Sequence, residues 1–194
     1  MIKQLCAVTS ILFPLALGVF NEIKPSASEA DMSFIEMVQF HGYPVWSKLI
    51  DTPDGYTLNL FRIPGPRGES LSSALRARNR EPLLLLHGVL SSSECFVMNG
   101  PGVSPAYQLA DSGRYDLWLL NVRGNAYSKK HNFMDAASDR DYWNFGFEEM
   151  GDLDLPAAVD FVLQATGRAK LTLLGFSQGT TIAFYSLVNN KARL

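Results

Sequence analysis

The sequence predicts an α/β protein with a mostly parallel sheet and flanking helices, and two observations support this prediction. First, the apolar runs at 83–86, 116–122 and 171–174 are continuous rather than alternating, which is typical of strands covered on both faces. Second, segments suited to helices lie between and after these runs. This alternation of strands and helices favours parallel strands joined by right-handed crossovers.

The segment before these runs predicts one helix, one hairpin and one loop. Residues 31–42 place apolar side chains at helical spacing, which predicts a short amphipathic helix ending near Gly42. Two β-rich runs at 45–50 and 56–63 flank a turn that contains proline and glycine, so we expect an antiparallel hairpin. Residues 64–81, with prolines, glycines and scattered arginines, predict a surface loop.

Two further helices and a long loop are predicted between the apolar runs. Residues 105–111 favour a helix, and the polar and aromatic stretch at 129–147 favours a loop. A longer helix is predicted within 152–166, with Asp154 as its cap and Pro156 in its first turn.

The motif Gly-Phe-Ser-Gln-Gly joins the run at 171–174 to a helix-forming segment without proline. Gly175 and Gly179 stand two residues on either side of Ser177, as expected where a strand turns directly into a helix and leaves no room for Cβ atoms. An oxyanion formed beside Ser177 would meet the N–H of Gln178, because the first turn of a helix favours negative charge. The alternative is a glycine-rich turn with a solvated serine.

The carboxyl ends of parallel strands meet at one edge of a sheet, and ligands bind in the crevice there. We therefore expect the loops that start at His87, Arg123 and Ser177 to lie close together. This edge is the predicted functional site.

The composition is that of a globular protein: 194 residues, 47% hydrophobic and 19% charged. This length suits one substantial core and is short for two. The net charge of -2 and the pI near 5.9 do not indicate a nucleic-acid-binding protein. Neither repeats nor metal-ligand spacing are found, so we predict no metal and no cofactor.

The first 30 residues predict a secretory signal peptide, with cleavage between Gly18 and Ala30. A lysine precedes an apolar run at 5–20, which is shorter than the roughly 20 residues of a membrane anchor. We expect a mature chain of residues 31–194, without a transmembrane anchor, in the secretory pathway.

The sequence has two cysteines, Cys6 and Cys95. Loss of Cys6 with the signal peptide leaves Cys95 without an intramolecular partner. The favoured interpretation is a buried free thiol, and the alternative is a partner outside this sequence.

Several ordered blocks run from about Met37 onward. They are GYP (42–44), TPDGYTLNLFRIP (52–64), LLLLHGVLSSS (83–93), NVRGNAYSKKH (121–131), YWNFGFEEMGDLDLPAAVDF (142–161) and GFSQGT (175–180). Together these blocks resemble the acid lipases, the gastric and lysosomal group of α/β-hydrolases. The resemblance implies the N-terminal half of an α/β-hydrolase fold, with the C-terminal strands and the cap absent, so that residues 31–194 form a partial lipase domain.

The same resemblance implies hydrolysis of neutral lipid esters, triacylglycerols or sterol esters, through an acyl-serine at a lipid–water interface. It implies a secreted or lysosomal protein of lipid catabolism. Ser177 would be the nucleophile, and the backbone amides of Val89 and Gln178 would form the oxyanion hole. The positions that would support them are His87, Gly88, Gly175 and Gly179.

A serine nucleophile needs a histidine base that a carboxylate orients, and in α/β-hydrolases both follow the serine in the sequence. The 17 residues after Ser177 contain neither. We therefore expect a truncated chain that is nearly inactive as written, and assign His87 to shaping the oxyanion loop rather than to acting as the base. The other two histidines, His41 and His131, also precede the serine. Helix capping explains the acidic cluster of Glu148, Glu149, Asp152 and Asp154.

Two alternatives to a lipase remain open. One is a non-catalytic lipid-binding protein derived from a lipase, and the other is a hydrolase of smaller esters, since the serine turn does not set substrate size. Phe176 also departs from the acid-lipase pattern, which has histidine there; we expect it to affect packing or acyl fit.

Overall fold

The computed structural model describes residues 31–77 and 79–189. The predicted signal peptide and Cys6 lie outside these residues, so the domain boundary stays a prediction. The described residues from Met32 onward form one compact unit. In this part of the chain, no helix combines the length and the apolar character needed to cross a membrane.

Six strands and six α-helices make up the described residues. The strands are β1 (Trp46–Asp51), β2 (Tyr56–Ile63), β3 (Glu81–Leu86), β4 (Tyr115–Leu120), β5 (Lys130–His131) and β6 (Thr172–Gly175). The helices are α1 (Phe34–Phe40), α2 (Leu71–Arg76), α3 (Pro105–Asp111), α4 (Phe147–Glu149), α5 (Leu155–Thr166) and α6 (Gln178–Asn189). Two short 3₁₀ turns, Ser93–Phe96 and Arg140–Trp143, and a π-helical turn, Met150–Asp154, complete the list.

The strands form one mixed sheet in the order β1-β2-β4-β3-β6, with β5 paired to β2. Strands β4, β3 and β6 are parallel, which confirms the prediction from the three apolar runs. The predicted hairpin is also confirmed, because β1 and β2 pair antiparallel, and β2 continues the sheet by pairing antiparallel with β4.

Helices cover both faces of the sheet, which explains why the central strands lack alternation. Leu84 and Leu86 of β3 point to one face, where α5 and α6 pack on them. Leu83 and Leu85 point to the other face, against α1 and α3. Both faces of β3 are therefore buried, and its residues need apolar side chains whichever way they point.

Two predicted loops contain short regular elements, and those predictions were wrong in part. Helix α2 forms inside 64–81 because the Ser70 side chain caps it and Ala74 is buried beneath it. Strand β5 forms inside 129–147, where its two residues pair with the start of β2. Both elements are too short to give a periodic pattern in the sequence.

The helix predicted within 152–166 is confirmed as α5, with Asp154 at its N-cap position and Pro156 in its first turn, but the Asp154 side chain forms no capping bond. Its chain is helical from Phe147, and the π-helical turn precedes Pro156, which has no N–H for an ordinary helical bond. The N–H of Leu155 bonds to the carbonyl of Met150 instead. The Asp154 side chain turns away from the helix end and binds Arg123.

Arg123 and Asp154 form a buried ion pair behind the carboxyl edge of the sheet. The carboxylate of Asp154 accepts from the backbone N–H of Arg123 at 2.9 Å and from its Nε at 2.8 Å. The same guanidinium binds Asp54 in the hairpin turn at 2.6 Å and lies 4.1 Å from the centre of the Tyr56 ring. Burial acts to lower the pKa of Arg123, but the two carboxylates raise it above its ordinary value, so the cation is retained.

Loss of this ion pair is expected to destabilise the fold strongly. Arg123→Met leaves Asp154 as a buried carboxylate without its cation, so the free energy of unfolding should fall by about 3 to 5 kcal/mol in urea titrations. Arg114→Met is the matched control, because Arg114 pairs with Glu81 at the exposed surface and its loss should cost less than about 1 kcal/mol. Equal losses in the two variants would contradict this account.

Candidate active site

Ser177 occupies the sharp turn between β6 and α6. Strand β6 ends at Gly175, helix α6 begins at Gln178, and Ser177 between them has φ of +53°, a left-handed conformation unusual for a residue with a side chain. The N–H of Phe176 donates to the carbonyl of Leu86 at 2.9 Å, which fixes the start of the turn to the end of β3. The serine side chain is exposed at the edge of the sheet.

Close backbone contacts explain both glycines of the motif. A Cβ on Gly175 would lie 2.6 Å from the backbone nitrogen of Thr180. A Cβ on Gly179 would lie 2.8 Å from the carbonyl oxygen of His87 and would also clash with that of Leu86. Neither contact can relax by moving a flexible side chain, so glycine is required at both positions.

A glycine required by close backbone contacts and a glycine required only by its left-handed conformation should respond differently to replacement by alanine. Gly179→Ala is expected to lower the free energy of unfolding by about 3 kcal/mol or more, because backbone must move to admit the methyl group. Gly167→Ala is the control: Gly167 has φ of +67° but open space around it, so only the left-handed conformation costs, about 1 to 2 kcal/mol. Chemical denaturation of both variants tests the difference, and a larger loss for Gly167→Ala would refute it.

The loop after β3 lies directly beside the serine. Leu86 pairs with Leu120 of β4 and with Gly175 of β6, so the three strands end level with one another. A Cβ on Gly88 would lie 3.2 Å from the Cβ of Ser177. The structure therefore brings together two of the three loops predicted to meet, those that start at His87 and Ser177.

The third loop, which starts after β4, joins them through His87. The N–H of Val122 donates to Nε2 of His87 at 3.3 Å, and the Nδ2 of Asn125 lies 3.1 Å from the same nitrogen. Nδ1 of His87 lies 2.8 Å from the carbonyl oxygen of Gly88. Because a backbone N–H can only donate and a carbonyl can only accept, Nε2 carries the lone pair and Nδ1 carries the proton.

This arrangement excludes His87 as the base for Ser177 in the observed conformation. Its Nε2 lone pair already accepts from Val122, and its Nδ1 proton is donated to Gly88. Burial also lowers the pKa of His87, although the bond to Gly88 partly offsets that effect. The side chain is therefore a neutral structural group beneath the loop at 88–90.

The lowered pKa of His87 should make the fold sensitive to acid. The unfolded chain binds a proton below pH 6.5, whereas the folded chain resists it, so stability present above pH 6.5 is lost as the pH falls further. The free energy of unfolding should drop by up to about 1.4 kcal/mol per pH unit from this group. In His87→Gln this part of the slope should vanish, as urea titrations at pH 7.5 and pH 5 can measure. Parallel slopes in the two proteins would argue against it.

The other two histidines bind elsewhere. His131 accepts at Nδ1 from the N–H groups of Phe133 and Met134, and its Nε2 lies 3.0 Å from the carbonyl oxygen of Asp54. His41 packs edge-on against the Tyr107 ring. In residues 31–77 and 79–189, no histidine forms a hydrogen bond with Ser177.

The remaining acidic candidates have local roles. Glu149 accepts from the N–H of Gly146 at 2.7 Å, as the capping interpretation predicts. Asp152 accepts from the hydroxyl of Tyr185 at 3.2 Å. Among the described residues, no three histidine, cysteine or acidic side chains are grouped closely enough to hold a metal ion.

A cavity of about 720 Å³ opens beside the turn, with Gln178 and the loops after β3 and β4 in its wall. Much of its lining is apolar, including Val89, Met98 and Phe145. Val89 is 59% exposed. In the described part of the chain, neither the N–H of Val89 nor that of Gln178 donates a hydrogen bond to another group.

Cys95 also lines this cavity as a half-buried free thiol. Burial raises its pKa, and hydrogen bonds from Ser91 and Gly88 oppose that effect. The favoured interpretation of Cys95 as a buried free thiol is thus right in part, because the thiol is free among the described residues but half-buried.

Sequence reasoning missed Asn121, Asn125 and the partnership of Arg123 with Asp154. Asn121 is fully buried at the end of β4, and its side chain joins the loops around it. The available signal was polar side chains directly after a buried strand, at the edge where ligands bind. Local capping offered a simpler explanation for Asp154, and it was wrong.

Comparison with known proteins agrees with this architecture. Residues 34–100 match the family model described as partial alpha/beta-hydrolase lipase region, and residues 81–193 match the one described as alpha/beta hydrolase fold. An esterase from Pyrococcus furiosus has a similar solved structure, with a TM-score of 0.55 and 17% identity over 79% of this chain and 50% of that one. At this identity the likeness shows the fold alone.

Curated relatives are lipases. Gastric triacylglycerol lipase of Rattus norvegicus is 38% identical over 188 residues, which cover 96% of this chain and 46% of the relative. Lipase member K of Homo sapiens is 40% identical over 162 residues, which cover 84% of this chain and 39% of the relative. The chain thus spans about half the length of the curated relatives it matches.

A mixed sheet with helices on both faces and a strand–turn–helix at its carboxyl edge defines an α/β hydrolase fold. The chain belongs to the alpha/beta hydrolase family. The resemblance to the acid lipases, which the sequence blocks predicted, is confirmed by the gastric lipase relatives.

Proposed function

We propose that this chain carries the nucleophile and the oxyanion donors of a serine ester hydrolase that acts on neutral lipids. The observation that carries the proposal is the turn at Ser177: a left-handed serine between two sterically required glycines, beside the Gly88 loop and the mouth of an apolar cavity. This arrangement is typical of the nucleophile in α/β hydrolases.

In the proposed reaction, Oγ of Ser177 attacks the ester carbonyl carbon while its proton passes to a histidine base. The carbonyl oxygen becomes an oxyanion, which the N–H groups of Val89 and Gln178 would stabilise. Collapse of this intermediate expels the alcohol, which takes the proton from the histidine, and leaves an acyl-serine that water then hydrolyses. The supporting residues His87, Gly88, Gly175 and Gly179 would hold the loops that present these groups.

The base and its carboxylate are the parts that this sequence does not supply after Ser177. Each described histidine is engaged with other groups, as above, and His87 is blocked at both nitrogens. We propose that hydrolysis requires a histidine and an acid of the kind that follows the serine in α/β hydrolases, and that the chain as given has little activity without them.

The proposed substrates are triacylglycerols or sterol esters at a lipid–water interface. An apolar cavity beside Ser177 suits an acyl chain, and relatives are named triacylglycerol lipase. A secreted or lysosomal location, in lipid catabolism, is proposed from the signal-like first 30 residues together with these relatives. Profiling activity against acyl chain length distinguishes hydrolysis of these neutral lipids from hydrolysis of a smaller ester.

A non-catalytic lipid-binding role is the second candidate. The observation that favours it is the apolar cavity in a chain whose described histidines form no hydrogen bond with Ser177. Saturable binding of a neutral lipid without hydrolysis, even when the chain is joined to a segment that carries a histidine and an acid, would support this role.

The test joins this chain to a segment that carries a histidine and an acid. Residues 1–189 are joined to the corresponding C-terminal part of gastric triacylglycerol lipase, and a fluorophosphonate probe and triacylglycerol hydrolysis are measured. We expect labelling and turnover in the joined protein, loss of both in its Ser177→Ala form, and no labelling of the 194-residue chain. Ser47→Ala, on exposed strand β1, is the matched control and should leave both unchanged.

Three results would overturn the proposal. Equal turnover by the joined protein and its Ser177→Ala form would refute the nucleophile assignment. A joined protein that is folded, judged by cooperative unfolding, yet unlabelled would favour the lipid-binding role. Strong Ser177-dependent labelling of the 194-residue chain would mean that a base is already present in it.

A further inference from the structure

We propose that Asn125 is a positioning residue for the oxyanion hole, acting through His87 on the Gly88–Val89 peptide. The inference rests on the proposed function, in which the N–H of Val89 is an oxyanion donor. The side chain of Asn125 forms its hydrogen bonds with His87, Asn121 and Tyr127 rather than with Ser177.

The Gly88–Val89 peptide is a single planar group. The carbonyl of Gly88 and the N–H of Val89 belong to the same planar unit, so in a trans peptide they point in opposite directions. The carbonyl accepts from Nδ1 of His87 at 2.8 Å, on the buried side of the loop. Fixing the carbonyl there turns the N–H of Val89 the other way, and rotation of this peptide would move both groups together.

The imidazole of His87 holds the Gly88 carbonyl in place. Its bond to the Gly88 carbonyl exists only while the proton is on Nδ1. The other tautomer would place a lone pair against the carbonyl oxygen and a proton against the N–H of Val122, so both contacts would become repulsive. His87 is buried, with 3% of its surface exposed, so water cannot replace these partners.

The amide of Asn125 adds a second donor at Nε2, beside the N–H of Val122, and so stabilises the tautomer with its proton on Nδ1. Its Nδ2 lies 3.1 Å from Nε2 of His87 and donates to Oδ1 of Asn121 at 2.9 Å. Its Oδ1 accepts from the N–H of Tyr127 at 2.9 Å. A flipped amide would place its oxygen against two acceptors, Nε2 of His87 and Oδ1 of Asn121, and its NH₂ against the N–H of Tyr127. The amide must therefore present an N–H to His87.

The orientation of Asn121 is fixed in the same way. Its Oδ1 accepts from the N–H of Ser93 at 3.0 Å, and its Nδ2 donates to the carbonyl of Asn59 at 3.2 Å. The hydrogen-bonded chain therefore starts from two backbone groups and ends at the Gly88 carbonyl. Each link has only one arrangement in which every donor meets an acceptor.

The turn that carries Asn125 is rigid enough to transmit this constraint. Gly124, before it, has φ of +81°, and its N–H donates to the carbonyl of Ser128 at 2.9 Å. A Cβ on Gly124 would lie 3.0 Å from the Trp143 ring, so the turn packs closely against that side chain. Asn125 is thereby held at the end of β4, facing the loop after β3.

The experiment reads the histidine nitrogens directly by ¹⁵N NMR of the 194-residue chain, which has only three histidines. We expect His87 to show a protonated Nδ1 and an unprotonated Nε2 at pH 7.5. A proton on Nε2 in the wild-type protein would overturn the inference without any variant. This readout needs no catalysis, so it stands apart from the test of the proposed function.

Asn125→Asp then reverses the polarity of the contact at constant shape. Its carboxylate can only accept, so Nε2 of His87 should become protonated, and the amide cross-peak of Val89 should shift. Asn99→Asp, at an exposed position, adds the same charge and should change neither signal. Unchanged His87 nitrogens in Asn125→Asp, or changed nitrogens with an unmoved Val89 amide, would each refute the proposal.

If Asn125→Asp does not fold, Asn125→Ser replaces it, because serine removes the donor at that distance without adding charge. Only the 3.3 Å contact from the N–H of Val122 then remains at Nε2, so the second His87 tautomer should become populated and give an intermediate Nε2 shift. A single tautomer identical to wild type would overturn the assignment of Asn125. In the joined protein, the folded variant should label with fluorophosphonate about tenfold more slowly, since a misplaced oxyanion donor costs less than a deleted one.

Discussion

The close approach of helix α6 to the end of strand β3 is the contact on which the rest of the site depends. The backbone of Gly179 lies against the carbonyls of Leu86 and His87, and the N–H of Phe176 bonds to the first of these. Because no side chain separates the two elements, the turn at Ser177 has no freedom to relax. The same contact brings the loop after β3 beside the serine.

Much of the fold could be predicted because its signals are local or periodic. The three continuous apolar runs became the parallel strands β3, β4 and β6, and the Pro-Gly turn between β-rich runs became the hairpin. Helix α2 and strand β5 were missed because each is stabilised by one cap or one short pairing rather than by a pattern. Tertiary contact, not propensity, decides such short elements.

The site was predictable to the level of its loops but not of its hydrogen bonds. Ser177 and its two glycines follow from the sterics of a strand turning into a helix, and convergence of the loops follows from parallel strands. The pairing of Arg123 with Asp154 joins positions 31 residues apart, and no spacing rule links them. The tautomer of His87 likewise depends on which donors the fold places around the ring.

The left-handed conformation of Ser177 belongs to two elements rather than to one residue. It persists because Thr180 bonds back to the carbonyls of Gly175 and Ser177, across the turn itself. Fraying of the first turn of α6 would release the serine to an ordinary conformation while the central strands stay paired. The geometry around Ser177 could therefore be lost by local unfolding at the start of α6, without unfolding of the buried sheet.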